Sequence, residues 1–421
     1  MSANPTFGGD EVNAVVLDLG GCLCRAGYAG DDTPKAVFPS DVGVVPGSDV
    51  NGTGGGGGEG RTVYVGNDAL TFPRANMQVA NPFGSDDLID DWDIAAKLWM
   101  HALKDRLRVA PEEMAVMMAE PTHIGRAERE KAVTALFEAT SCPALFLAKA
   151  AVLSAFAVGR QTAVVVDAGH RGTTVTAVHE GFALHKSIAR SAAGGALLTR
   201  CMRAVLEREA EAKGKKLRPR HAGKGADKST PSLDAWAVEQ VAADAREALC
   251  RAADAAGAEE AEGSGAAQVY ELPDGTQLKI GADRFRVAEV LFDTSVVSSF
   301  PGLDSDPLVS GRHLAAWPTL VKDAIEGCDG DVRRELWGGI VLTGGGSLLP
   351  NARERLEAEL AAAAPGGTRV RVMSPANPTE RRFATWIGGS ILASLGSFHQ
   401  MWFSKNEYEE HGAALIHRKS P

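Results

Sequence analysis

The chain has 421 residues, 44% of them apolar, and a formal net charge of −10 from 54 acidic and 44 basic side chains. That length exceeds one ordinary hydrophobic core and points to two lobes or more, while the acidic balance argues against a broad grip on DNA and suits basic partners such as histone tails. No apolar run approaches the roughly twenty residues a membrane span needs, the start lacks the pattern of a secretory signal, and the six scattered cysteines fit neither a disulfide framework nor a zinc site.

In chain order, the first expected element is a buried strand over residues 14–19, closed by Asp18, Gly20 and Gly21. Residues 47–60 hold a run of five glycines among polar residues and read as a flexible loop. Apolar residues at helical spacing predict a helix over 94–107, stopped by Pro111, with Trp92 and Trp99 as core or interface anchors. Residues 127–139 read as a second helix. A second apolar run, 163–166, ends in Asp167, Ala168 and Gly169 and repeats the first turn's pattern. The basic, apolar-poor stretch 213–228 reads as an exposed loop: a solvated insertion, an import signal or a nucleic-acid patch. A helix over 232–255 follows, then a polar Ala/Gly/Glu-rich stretch, 255–267. A third apolar run, 340–342, opens into Thr343, Gly344, Gly345, Gly346 and Ser347, and 352–364 reads as a helix. Three strand-to-glycine turns so far apart predict a duplicated α/β architecture with a ligand between its halves.

Successive backbone N–H groups in a small-residue hairpin form a concave nest for phosphate oxygens. A carboxylate at the strand tip can hold a hydrated divalent cation through its waters. Either Asp-tipped turn alone is an ordinary hairpin signal; both together, with a third glycine-rich turn, point to a nucleotide. His101, His123 and His179 lack ligand-spaced partners, so no metal role is assigned to them. Cys22 and Cys24 flank the first turn and read as small buried residues of an alternating strand.

Residues 18–40, 151–169, 284–286, 342–350 and 386–405 (WIGGSILASLGSFHQMWFSK) resemble segments of the actin family. The resemblance covers nearly the whole chain outside the three polar stretches. Residues 72–77 (FPRANM), 90–93 (DDWD) and 118–121 (MAEP) are similar to the fourth class of nuclear actin-related proteins. This implies an actin-like two-lobed α/β fold. The first lobe would span 1–157, with a small subdomain at about 40–75 and residues 384–421 returning to it; the second would span 158–383, with an inserted subdomain at about 193–299.

The resemblance implies ATP as ligand, with Mg2+ or Ca2+ beside Asp18 and Asp167. It puts Asp18, Gly20, Gly21 and Arg25 in a first phosphate loop, and Asp167 and Gly169 in a second. Arg246 and Glu247 fall where actin meets the ribose and base, Gly194, Gly344, Gly345 and Gly346 around the adenosine, and Arg382 beside the base. Four positions depart from the pattern: Gly21 replaces a serine that meets the terminal phosphate, and His170 replaces an aspartate. Ala150 stands for a water-positioning glutamine and Thr174 for an assisting histidine.

Hydrolysis needs an attacking water held in line, and these side chains do not supply those contacts, unless Lys149 or His170 substitutes. The expectation is a pseudo-ATPase without catalytic residues, located in the nucleus. It would be a subunit of chromatin-remodelling and histone acetyltransferase complexes, pairing with actin on a helical scaffold segment of a remodelling ATPase or acetyltransferase subunit, with histones as a further partner. The competing expectation is a polymerising cytoskeletal ATPase. The glycine run argues against that, because it offers no apolar tip to bury in a neighbouring subunit.

Overall fold

A computed structural model describes residues 13–47, 60–220, 228–258 and 267–420. The glycine run, most of the later half of the basic stretch and most of the Ala/Gly/Glu-rich stretch lie outside these residues. Among the described residues no helix is long and apolar enough to cross a membrane.

Two mixed sheets form the frame. In the first, Ala14–Leu19 pairs antiparallel with Leu23–Tyr28 and parallel with Ala115–Glu120. Ala144–Lys149, Ala36–Pro39 and the late strand Phe403–Ser404 complete its six strands. In the second, Ala163–Ala168 pairs antiparallel with Thr173–His179 and parallel with Ile340–Thr343. The same unit, an Asp-tipped hairpin flanked by a parallel strand, therefore occurs twice. Val, Leu and Ala on both faces make these runs insoluble as loops and stable only as central strands covered on each side; all six residues of Ala14–Leu19 are buried.

Each sheet carries its own core. Trp99, Phe137 and Phe403 belong to the first, and Trp317, Leu356 and Val372 to the second. Residues of the returning segment join the first half through the helix Ala384–Ser394. Trp386 is fully buried there and donates from Nε1 to the Val16 carbonyl at 3.0 Å. A Cβ at Gly388 would stand 1.8 Å from the Leu153 carbonyl oxygen, so this helix and Ala150–Ala157 touch backbone to backbone.

One helix ends where periodicity implies but by another device, and a second ends earlier. The helix beginning at Trp92 is regular only to Met100, continues as a π-helical turn from His101 to Leu107, and stops at Arg108, whose φ of 57° is left-handed. Pro111 is not the terminator. The helix Pro231–Leu249 ends at Cys250 because the next amides leave it: Arg251 donates to the Arg284 carbonyl and Ala252 to the Pro350 carbonyl at 3.0 Å. Tertiary partners for the backbone outweigh helical continuation.

A small sheet of Val42–Val45, Thr62–Tyr64 and Gln78–Ala80 leans across onto the start of the Pro231–Leu249 helix. Met77, Leu70 and Leu233 are buried together. The Thr230 hydroxyl donates to the Met77 carbonyl, and the Val79 amide donates to Ser232 Oγ at 2.8 Å. Trp236 Nε1 donates to Asp41 Oδ2 at 2.9 Å, while Asn81 Nδ2 joins Asp41 to the Gly21 carbonyl.

Candidate functional site

The two Asp-tipped hairpins face each other across a cavity of about 430 Å³, a size within the usual range of small-molecule sites. Asp18, Gly20, Gly21 and Arg25 line it from the first sheet, and Asp167, Gly169, His170 and Arg171 from the second. Gly344, Gly345 and Gly346 from the third turn, Arg246 and Glu247 from the Pro231–Leu249 helix, and Arg382 supply the remaining walls.

Both turns are built by short backbone bonds. The Gly20 amide donates to the Leu23 carbonyl at 3.0 Å, and Ser40 Oγ donates to the Gly20 carbonyl at 2.6 Å. In the second turn the Gly169 amide donates to the Gly172 carbonyl at 3.0 Å. Gly344 has a φ of +87°, and a Cβ there would lie 2.6 Å from the Ala168 carbonyl oxygen, so only glycine lets the third turn lie against the second. Gly194 does not line the cavity, contrary to its expected place around the adenosine. A Cβ there would meet Gly172 N at 2.5 Å. Its function is close packing: it lets the helix Gly195–Glu211 start against the second turn, with the Gly195 and Ala196 amides bonded to the carbonyls of Gly169 and His170.

Charge in the cavity is mostly paired. Arg25 Nη1 meets Asp18 Oδ2 at 2.6 Å, its cross-strand neighbour in the hairpin register, and Arg246 pairs with Glu247 at 2.9 Å. Asp167 is different. Burial, reinforced by the Asp18 charge, pushes its carboxyl up to about 6. Protein enclosure, together with the guanidinium groups of Arg246 and Arg171, lowers His170 to about 4. The ring opens on cleft water, so the two adjacent cations are the firmer cause, and the imidazole is neutral at physiological pH. Ala150 and Thr174 both line the cavity. Lys149 does not: its ammonium is buried against Glu120 at 2.9 Å, on the side where Arg129 also meets that carboxylate. Lys149 therefore cannot substitute for a water-positioning group.

Two further expectations need correction. Cys24 is buried, but Cys22 is exposed, because it sits in the turn before Leu23–Tyr28 and strand alternation does not reach it. Trp99 is fully buried, whereas Trp92 is only partly so. Sequence reasoning missed Arg171, Arg190 and Asp87, which close one end of the cavity. A guanidinium inside a phosphate turn was a visible signal for Arg171. Asp87 lies in an acidic stretch with nothing to single it out.

The chain matches the family model described as Actin over residues 9–421. It is 43% identical to actin-related protein 4 of Oryza sativa subsp. japonica, over 99% of this chain and 100% of the relative. Actin-related protein 4 of Arabidopsis thaliana is 42% identical over the same shares, and that of Neurospora crassa 33% identical over 99% and 98%. The chain belongs to the actin family. Its relatives place it with actin-related proteins of the fourth class, and the duplicated sheets are those of the two-lobed actin-like α/β fold.

A nucleotide and a divalent cation are the general ligands of this fold. The residues present fit both. Among the described residues no three His, Cys, Asp or Glu side chains form a cation cage, but Asp18 and Asp167 both line the cavity, and the Asp18 charge adds to the upward shift of Asp167, which a hydrated cation would relieve. Magnesium suits such a site because it keeps most of its waters.

Proposed function

We propose that this actin-family protein holds ATP as a structural ligand, with little or no hydrolysis, within nuclear chromatin-remodelling and histone acetyltransferase complexes. One observation carries the reading. The cavity keeps its glycine turns and carboxylate pair, yet the positions that would hold an attacking water are the methyl of Ala150, Thr174 and a neutral His170. An in-line water needs fixed hydrogen-bond partners, and an imidazole titrating near 4 is a weak base at neutral pH.

Bound nucleotide supplies phosphate charge and a bridge between the two lobes. Asp18 and Asp167 would hold the hydrated cation, and the turns at Gly20 and Gly169 would seat the phosphates. Arg246, Glu247, Arg382 and the Gly344–Gly346 turn would enclose the nucleoside. A ligand gripped from both halves stabilises the closed protein by mass action. The scaffold reading, in which the chain pairs with actin on a helix of a remodelling ATPase or acetyltransferase subunit, is supported by fourth-class kinship together with the loss of water-positioning groups.

Two measurements test this. ATP with Mg2+ should raise the melting temperature, while phosphate release stays at the no-protein background; steady turnover like that of conventional actin refutes the pseudo-ATPase. Affinity purification from nuclear extract should recover remodeller or acetyltransferase subunits together with actin, and their absence removes the scaffold assignment.

A further inference from the structure

Arg171 sits in the second phosphate turn, but its side chain ends on the other half of the molecule. Its Nε pairs with Asp87 Oδ1 at 3.0 Å, and its Nη2 donates to the Gly84 carbonyl. The guanidinium lies 5.9 Å from the centroid of the Phe83 ring. On the way it passes directly over Gly21. A Cβ built at Gly21 would lie 2.4 Å from Arg171 Cγ and 2.2 Å from Cδ, far inside van der Waals contact. Gly21 and Arg171 are therefore a matched pair: the long side chain fits across the first turn only because residue 21 has no side chain.

The anchor is equally specific. Asp87 adopts a left-handed φ of 64° and receives Arg190 at 3.0 Å and Arg312 at 2.9 Å in addition to Arg171. All three arginines come from the second half, and Asp87 comes from the segment that follows the small sheet of the first. The Asp87 side chain is only 15% exposed, so these contacts are little weakened by solvent.

We propose that Arg171 is a nucleotide-retaining residue: its side chain straps the phosphate end of the cleft shut, and the Arg171–Asp87 bridge must break before a bound nucleotide can leave. This rests on the nucleotide-binding reading given above. The strap crosses between the two phosphate turns, so release through that end requires Arg171 to swing away. The Trp236–Asp41 and Ser232–Val79 bonds also join the two halves. The halves are thus held together by contacts within the protein, and slow exchange follows from the strap.

The test measures dissociation of a fluorescent ATP analogue from the full-length protein, chased with excess unlabelled ATP. Arg171→Met keeps the apolar stem and removes the bridge; it should raise the dissociation rate about tenfold, less than loss of a whole desolvated pair because Asp87 keeps Arg190 and Arg312. Gly21→Ala adds one methyl without a new hydrogen bond, displaces the stem, and should raise the rate by a similar factor. The double variant should be no faster than either single one, because both changes remove the same strap. Unchanged rates in the single variants, or a multiplicative increase of about a hundredfold in the double one, overturn the proposal. A wild-type chain that binds no labelled nucleotide overturns the nucleotide reading, and the strap's retaining role with it. Binding by wild type with unaltered rates in the variants overturns the strap alone.

Discussion

Replacing Asp167 with asparagine tests the electrostatics of the cleft floor. The folded-state carboxyl titrates near 6, against an ordinary value of 3.8, so the folded chain binds more protons than the unfolded chain between those pH values. Stability therefore falls as pH rises through that window, and the loss is complete above the folded value. At about 1.4 kcal/mol per pH unit the shift amounts to about 3 kcal/mol. Asp167 opens on cleft water, which screens the charge, so about 1–2 kcal/mol is the expected effect. Asp167→Asn should be more stable than wild type by that amount at pH 7.5 without divalent cations, and equal to it at pH 4. The assay is urea unfolding of both proteins at the two pH values. Added Mg2+ should stabilise wild type at pH 7.5 but not the variant, and the cation should bind wild type more tightly as pH rises through about 6. A variant that is less stable at pH 7.5, or one that shows the same difference at both pH values, refutes the idea of an unrelieved carboxylate pair.

Further predictions concern the frame around the site. Glu289→Ala should destabilise the second half by about 3 kcal/mol, because Glu289 meets the buried Arg355 guanidinium at 2.6 Å; an unchanged urea midpoint would contradict the burial of that pair. Gly388→Ala should cost about 1–3 kcal/mol or prevent soluble expression, since its methyl would collide with the Leu153 carbonyl; a wild-type melting curve would show that the two helices do not touch there. Lys149→Met should lower stability by about 1–3 kcal/mol as Glu120 loses a charged partner. It should leave labelled-nucleotide dissociation within twofold of wild type, and a large change there would mean that Lys149 reaches the cavity after all.

Much of the frame was legible because its signals are local. Runs such as AVVLDL and AVVVDA are short, β-rich and closed by an Asp and small residues, so strand, turn and phosphate nest can be read within ten residues of one another. Gly344 likewise announced a backbone that other residues would strain. Gly194 shows the limit: a glycine was rightly needed there, but sequence could not distinguish a wall of the cavity from a packing contact with Gly172.

What tertiary structure alone decided involves partners distant along the chain or directions set by a turn. Lys149 and Ala150 are neighbours, yet the passage from strand to helix points one at Glu120 and the other into the cavity. Arg171 and Asp87 are 84 positions apart, and a carboxylate in an acidic stretch carries no mark of which guanidinium it will meet. The sequence by itself determined two Asp-tipped phosphate turns, because hydrophobic periodicity and glycine act over a few residues. The fold decided which side chains cross between them, because a charge pair is selected by distance in space and by the water excluded around it.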